Sequence, residues 1–169
     1  SVLSPGTAGH VLTTGGAGAD PSWAVPAATT TFGTDITVNS LKVGQGNLAS
    51  SQNTAFGENV LSTAASATYN TGAGYEALRY ITTGDYNTAI GAWAMSAALL
   101  TTATENTAVG FDALKLNRTG DNNTALGSGA GRGLLSGGNN VIIGQAAGYN
   151  ITSSDNVIIG KSAGQSVTS

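Results

Sequence analysis

From residue 53 onward the polar and apolar positions of the chain recur on a short cycle. The clearest copies are NTAFG at 53–57, NTAIG at 87–91, NTAVG at 106–110 and NTALG at 123–127. Anchored on asparagine, the cycle sets Asn53, Asn70, Asn87, Asn106, Asn123, Asn140 and Asn156 at spacings of 17, 17, 19, 17, 17 and 16 residues. Four residues after each anchor stands a glycine: Gly57, Gly74, Gly91, Gly110, Gly127, Gly144 and Gly160. Before that glycine comes Phe56, Ala73, Ile90, Val109, Leu126, Ile143 or Ile159. Seven residues after the anchor is Val60 or an alanine; the next position is Leu61, Leu78, Met95 or Leu114, then glycine in the last three units. A near-constant period over seven units predicts a repeat array.

Inside a unit the alternation is that of a strand, followed by the glycine, a second short segment and turn chemistry. The turns read TTGDYN (82–87), RTGDNN (118–123), SGGNN (136–140) and SSDN (153–156). Gly-Asp, Gly-Gly and Asp-Asn supply backbone angles that ordinary residues resist. The second segments carry Ile81, Leu99, Leu100, Leu116, Leu134, Leu135 and Ile151. EALRYI (76–81) and AWAMSAALL (92–100) are long enough for a turn of helix, but the period argues against it. The predicted fold is all-β: a parallel β-roll or β-solenoid of about seven coils of 16–19 residues. Hydrogen-bonded at the ~4.8 Å strand spacing, seven coils stack to roughly 30–35 Å.

Thr88 and Ile90 share one strand face, Ala89 and Gly91 the other. We expect the Thr and apolar residue to stack on their equivalents inside the roll. The small Ala/Gly face then lies outside, where another chain's backbone can approach. The last two units read NVIIG, apolar on both faces, and a strand apolar on both faces must be buried on both. That again points to a second chain against the outer face. Asn has two readings: a side-chain ladder between coils, or a turn residue tolerant of left-handed angles. The unit glycine marks a tight corner or a close inter-chain contact.

The first 30 residues are different, rich in Gly and Ala and holding all three prolines, Pro5, Pro21 and Pro26. Val11-Leu12 and Ser22-Trp23-Ala24 read as short strands around GGAGADP, with Trp23 anchoring a small core. Residues 31–46 alternate and read as a strand or strand pair leading into an array over 47–169. Charged residues are 9% of the chain and the net charge is −3, yet 40% is apolar. Disorder goes with high net charge and few apolar residues, so the composition favours an ordered, low-charge structure. Six scattered Lys and Arg make no nucleic-acid stripe. No apolar run approaches the ~18 residues of a membrane span, and no secretory leader is recognisable. Without cysteine there is no disulfide framework and no thiolate metal site.

The units NTAIGAWAM and NTAVGFDAL resemble the head repeats of trimeric autotransporter adhesins, and still more the related repeats of bacteriophage tail fibres. The lead-in TVNSLKVGQGN (37–47) and the opening GTAGHVLTTGGAGADPSW (6–23) are similar to segments of phage fibre and structural proteins. The resemblance implies an intertwined or side-by-side homotrimer around one axis. It implies a virion fibre segment, extracellular, a stiff rod that supports or carries host-surface binding. Its expected partners are two identical chains, other fibre proteins and a host glycan or protein. The alternative it implies is the head of a bacterial cell-surface adhesin, and an outlier is a glycan-degrading spike. These coils are longer than those of adhesin heads.

Little catalytic chemistry competes. His10 is the only histidine and reads as a surface or turn residue. GGAGAD and GSGAGRG lack the Gly-Lys-Ser/Thr ending and following helix of a phosphate loop. Asp85, Glu105, Asp121 and Asp155 precede anchor asparagines, where turn formation explains them better than an oxygen-ligated cation. Glu58, Glu76 and Asp112 recur just after the unit glycine, but nothing shelters a carboxylate pair for glycoside hydrolysis. A Thr-rich ice-binding face fails because the partner of each Thr is Phe, Ala, Ile, Val or Leu. We expect no enzyme and no cofactor. Tyr75, Trp93 and Phe111 follow the unit glycine in three successive coils, as receptor contacts or as cover for the roll edge.

Overall fold

The structure, a computed structural model, describes residues 11–13, 22–24, 36–45, 52–99 and 101–165. The chain divides into two compact units, Ser1–Gly33 and Thr34–Ser169. In the first, β1 (Val11–Thr13) pairs antiparallel with β2 (Ser22–Ala24), the two strands expected there. His10, Leu100 and the GGAGADP turn lie outside the described residues, as does the side chain of Trp23.

In the second unit, β3 (Ile36–Val38) and β4 (Leu41–Gly44) form a hairpin. Its two-residue loop, Asn39-Ser40, has φ of 48° and 68°, angles that match the twist of flanking strands. β4 also pairs antiparallel with β5 (Thr54–Gly57), so the hairpin covers the edge of the first coil. From there each coil gives one strand: β6 (Thr71–Ala73), β7 (Thr88–Ile90), β8 (Thr107–Val109), β9 (Thr124–Leu126), β10 (Val141–Ile143) and β11 (Val157–Ile159). All pairings from β5 to β11 are parallel and in register; Thr88 lies beside Thr107 and Ile90 beside Val109. The fold is the β-solenoid the period predicts, with no helix among the described residues. We number the coils 1 to 7 by their anchor asparagines.

The segment after each strand is neither strand nor helix. In coil 2 the Ala77 amide donates to Gly74 O, Arg79 to Glu76 O and Ile81 to Leu78 O, three linked β-turns. The third positions of the first two, Glu76 and Leu78, have φ of 56° and 53°. A left-handed conformation costs a non-glycine residue roughly 1–3 kcal/mol. Hydrogen bonds between coils offset it. The Glu76 amide donates back to Glu58 O and the Leu78 amide forward to Ala94 O, and the other coils repeat the arrangement. The unit glycine answers a stricter demand. At Gly91 φ is 133°, and a Cβ would lie 2.5 Å from the Gly110 carbonyl oxygen of the next coil. The glycine column is therefore a coil-on-coil contact within one chain.

The core corrects the expected faces. Ala55, Ala89, Ala108, Ala125 and Ile142 point inward and are buried, while Ile90 is 44% and Ile159 64% exposed. Threonine and the residue before the glycine face out, and the small face is the inside. The reason is the narrowness of the coil. Its interior is already filled by Leu61, Leu78, Met95 and Leu114, with Ile81, Leu134 and Ile151 beyond them. A Cβ on Gly72 would meet the Val60 side chain at 2.5 Å, so beside valine even alanine has no room; Ala89, Ala108 and Ala125 stand inward in coils that carry alanine at the Val60 position. The last coils exchange volumes. Where leucine gives way to Gly131, Ile142 Cδ1 and Leu114 Cδ2 would each lie 2.9 Å from an added Cβ. Inward isoleucine thus replaces the missing leucine, and the apolar inner face of NVIIG needs no second chain. Of the second-segment residues, Leu99 and Leu135 are exposed.

The anchor asparagines form a ladder. Asn87 Oδ1 accepts from both the backbone N–H and Nδ2 of Asn106, each at 3.0 Å. Asn87 Nδ2 donates to Asn70 Oδ1 at 3.0 Å and to Ala103 O at 2.7 Å. The same bonds link Asn53 to Asn70, Asn106 to Asn123, Asn123 to Asn140 and Asn140 to Asn156. Asn53 through Asn140 are all buried, so unmaking one rung costs about 1–3 kcal/mol per stranded group.

Two expectations follow. Asn87→Asp sets a carboxyl oxygen against three acceptors, Asn70 Oδ1, Asp85 O and Ala103 O, raising its folded pKa above the unfolded value. Stability is then retained below about pH 4 and lost as pH rises through the folded pKa. Melting curves should show a deficit against the native protein at pH 7 of about 3 kcal/mol or more, shrinking in acid; an equal deficit at both pH values refutes the ladder's donor–acceptor order. Ile142→Ala should cost about 2–5 kcal/mol in denaturant unfolding. Adding Gly131→Leu recreates a leucine-bearing coil and should recover part of that loss.

Candidate functional site

The corner after each unit glycine gathers most of the chain's unusual side chains. The linked turns hold Trp93 in a left-handed conformation, φ 58°, and bring it between its neighbours. Tyr75 and Trp93 meet edge to face with centroids 5.7 Å apart, and Trp93 and Phe111 at 5.3 Å. The three predicted aromatics therefore form one contiguous ridge over coils 2 to 4. Tyr75 and Phe111 are exposed and Trp93 is half-buried.

Charges pin the ridge. Trp93 Nε1 donates to Glu76 Oε2 at 3.2 Å, and Glu76 also pairs with Arg79. The Lys115 ammonium lies 4.8 Å from the Trp93 ring centroid, a cation–π contact. Its Nζ is also 2.9 Å from Asp112 Oδ1, while Arg132 Nε donates to Asp112 Oδ2 at 3.0 Å. Asp112 is buried, and its Oδ1 has this ion pair but no hydrogen bond of good geometry. The hydrogen bond to Asp112 raises Arg132 above its ordinary pKa. Hydrogen bonding to Glu76, together with the charge of Glu76, pushes the Tyr75 phenol up. Trp93 is thus engaged by Tyr75, Phe111, Glu76 and Lys115 within the corner, whereas Phe111 and Tyr75 are exposed.

The ridge stops at coil 5. Ser128 and Gly129, then Gln145 and Ala146, occupy the positions of the aromatic and acidic residues of earlier coils. The surface drops into a hollow of about 230 Å3 bounded by Phe111 on one side and Tyr149 on the other. Tyr149 lies under the Arg132 guanidinium, 5.4 Å from carbon to centroid. The repeat pattern alone does not join Tyr149 to Phe111. The available signal was the change from aromatic to small residues after Phe111, together with a tyrosine where earlier coils carry Arg79, Lys115 and Arg132.

The other candidates serve the coils. Asp85 Oδ1 accepts from the Thr68 amide and hydroxyl of the coil before, and Asp121 Oδ1 from the Thr104 amide. Asp155 accepts from Asn139 Nδ2. Among the described residues no group of three or more His, Cys, Asp or Glu could hold a metal ion, and no helix is long and apolar enough to cross a membrane. Tyr69 and Tyr86 are exposed and stack on each other at 5.0 Å, at a different corner. No protein-family model matches the chain, and no curated protein or solved structure matches it either.

Trp93→Ala should leave the strand signal in circular dichroism but lower the melting temperature, by an amount corresponding to about 2–3 kcal/mol. That is the sum expected for two aromatic contacts, a cation–π contact and partial burial. An unchanged melting temperature would show that the ring is a free surface group.

Proposed function

We propose that the chain is a segment of a bacteriophage fibre, a homotrimer whose stiff rod supports and carries adhesion to a host surface. One observation carries the assembly: the outward face of the parallel sheet is an uncharged stripe running the length of the stack. Phe56, Ile90, Leu126 and Ile159 stand exposed on it beside the threonine column. A continuous exposed apolar patch marks an interaction surface. Each coil closes its own core, so the copies associate side by side rather than by intertwining. The resemblance of NTAIGAWAM and NTAVGFDAL to fibre repeats supplies the biological setting. In that setting the segment would stand outside the cell on a virion, next to other fibre proteins.

The reading is non-enzymatic. Glu76 and Asp112 are held in ion pairs, and Asp85 and Asp121 bond backbone amides. Adhesion gains from repetition, because three chains present weak sites together and linked weak sites bind tightly.

Light scattering tests the assembly. The native protein should have three times the 16.6 kDa chain mass. Ile90→Asp should give folded monomer with unchanged circular dichroism, whereas Ala89→Asp, which puts a charge in the core, should unfold the chain. A native monomer would overturn the trimer. Retention of purified protein on bacterial cells tests adhesion.

A further inference from the structure

The hollow past the end of the aromatic ridge has the chemistry of a sugar site. This inference rests on the adhesive reading above and deepens it. We propose that the space between Phe111 and Tyr149 is a subsite for one uncharged pyranose unit of a host-surface glycan. Its walls are two aromatic rings, against which the C–H face of a pyranose can lie. Gly129 and Ala146 also line it and are too small to fill it. Ser128 and Gln145 bring a hydroxyl and an amide, able to donate and accept from ring hydroxyls. A concave, mostly apolar space with a few convergent polar groups is the common form of a small-ligand site. The hollow measures about 230 Å3, room for one residue of a chain and not for a long oligosaccharide.

Charge selects the class of sugar. Arg132 lines the hollow, but its Nε is committed to Asp112 Oδ2 at 3.0 Å and its plane lies over Tyr149. An acidic sugar would meet a guanidinium whose charge the buried Asp112 carboxylate already offsets, so its own charge adds little. A neutral sugar needs only its donors. The ridge itself is a weaker candidate, because Trp93 is engaged by Tyr75, Phe111, Glu76 and Lys115. Three hollows on a trimer would repeat the site around the axis.

The test is saturation-transfer NMR on the full chain. The probes are the methyl pyranosides of glucose, galactose, mannose and N-acetylglucosamine, together with N-acetylneuraminic acid. Ser128→Trp fills the hollow from an exposed position, Gln145→Ala removes a polar partner, and Tyr149→Ala removes a wall; native melting curves show that each variant is folded. At least one neutral pyranoside should give transfer to the native protein, at least five-fold weaker in Ser128→Trp and reduced in the other two. Binding unchanged in Ser128→Trp and Tyr149→Ala overturns this site and leaves the adhesive reading standing. Binding of N-acetylneuraminic acid alone overturns the assignment to a neutral sugar. If no probe binds while bacterial cells still retain the protein, this site falls and adhesion survives. If neither occurs, both fall.

Discussion

The structure depends on the buried asparagine amide. A coil of about 17 residues is too narrow to build much apolar core, and a single strand per coil leaves most of its backbone in turns. Register must come from something more directional than alanine packing. The primary amide provides it, since one oxygen can accept two hydrogen bonds while one nitrogen donates two. Each rung uses this capacity on the coil below, the coil above and the turn between. A sliding coil would strand every rung at once. The unit glycine is the steric counterpart: only a residue without Cβ lets the coils come as close as the rungs require.

Much of this was legible in the sequence. The period of Asn and Gly gave the coil length, the parallel register and the column membership. The pairings from β5 to β11 follow it even through the longer third coil, which Ile81 bridges at Thr101. The alternation of TDITVNSLKV left a strand or a strand pair open, and the Asn39-Ser40 turn makes it a pair. The ladder reading of Asn was one of two, and periodicity alone could not choose, because a turn residue would repeat at the same interval.

The inside and outside of the strand were misread for a physical reason. Hydrophobic size is a sound guide when a core is wide. Here Leu61, Leu78 and Leu114 enter from turns rather than strands, in left-handed conformations that sequence patterns assign to glycine or asparagine. With those leucines inside, the strand's larger residues have no room and face outward. The same turns hid the corner site. Trp93 reaches its neighbours from a residue of positive φ, and Tyr149 lines the same hollow as Phe111 only through the fold of the coils that lie between them.

The rungs all run one way. Between successive anchors from Asn53 to Asn156 the earlier oxygen accepts and the later nitrogen donates, so the side-chain dipoles add rather than cancel and each bond polarises the next. The stack is therefore a vector. Its leading and trailing ends differ in chemistry, and a further coil, or a fused sequence from another such protein, fits only tail to head. Lengthening the rod by whole units leaves every existing contact intact, which makes reach a property that can change by simple duplication, without redesign of the surface it holds out.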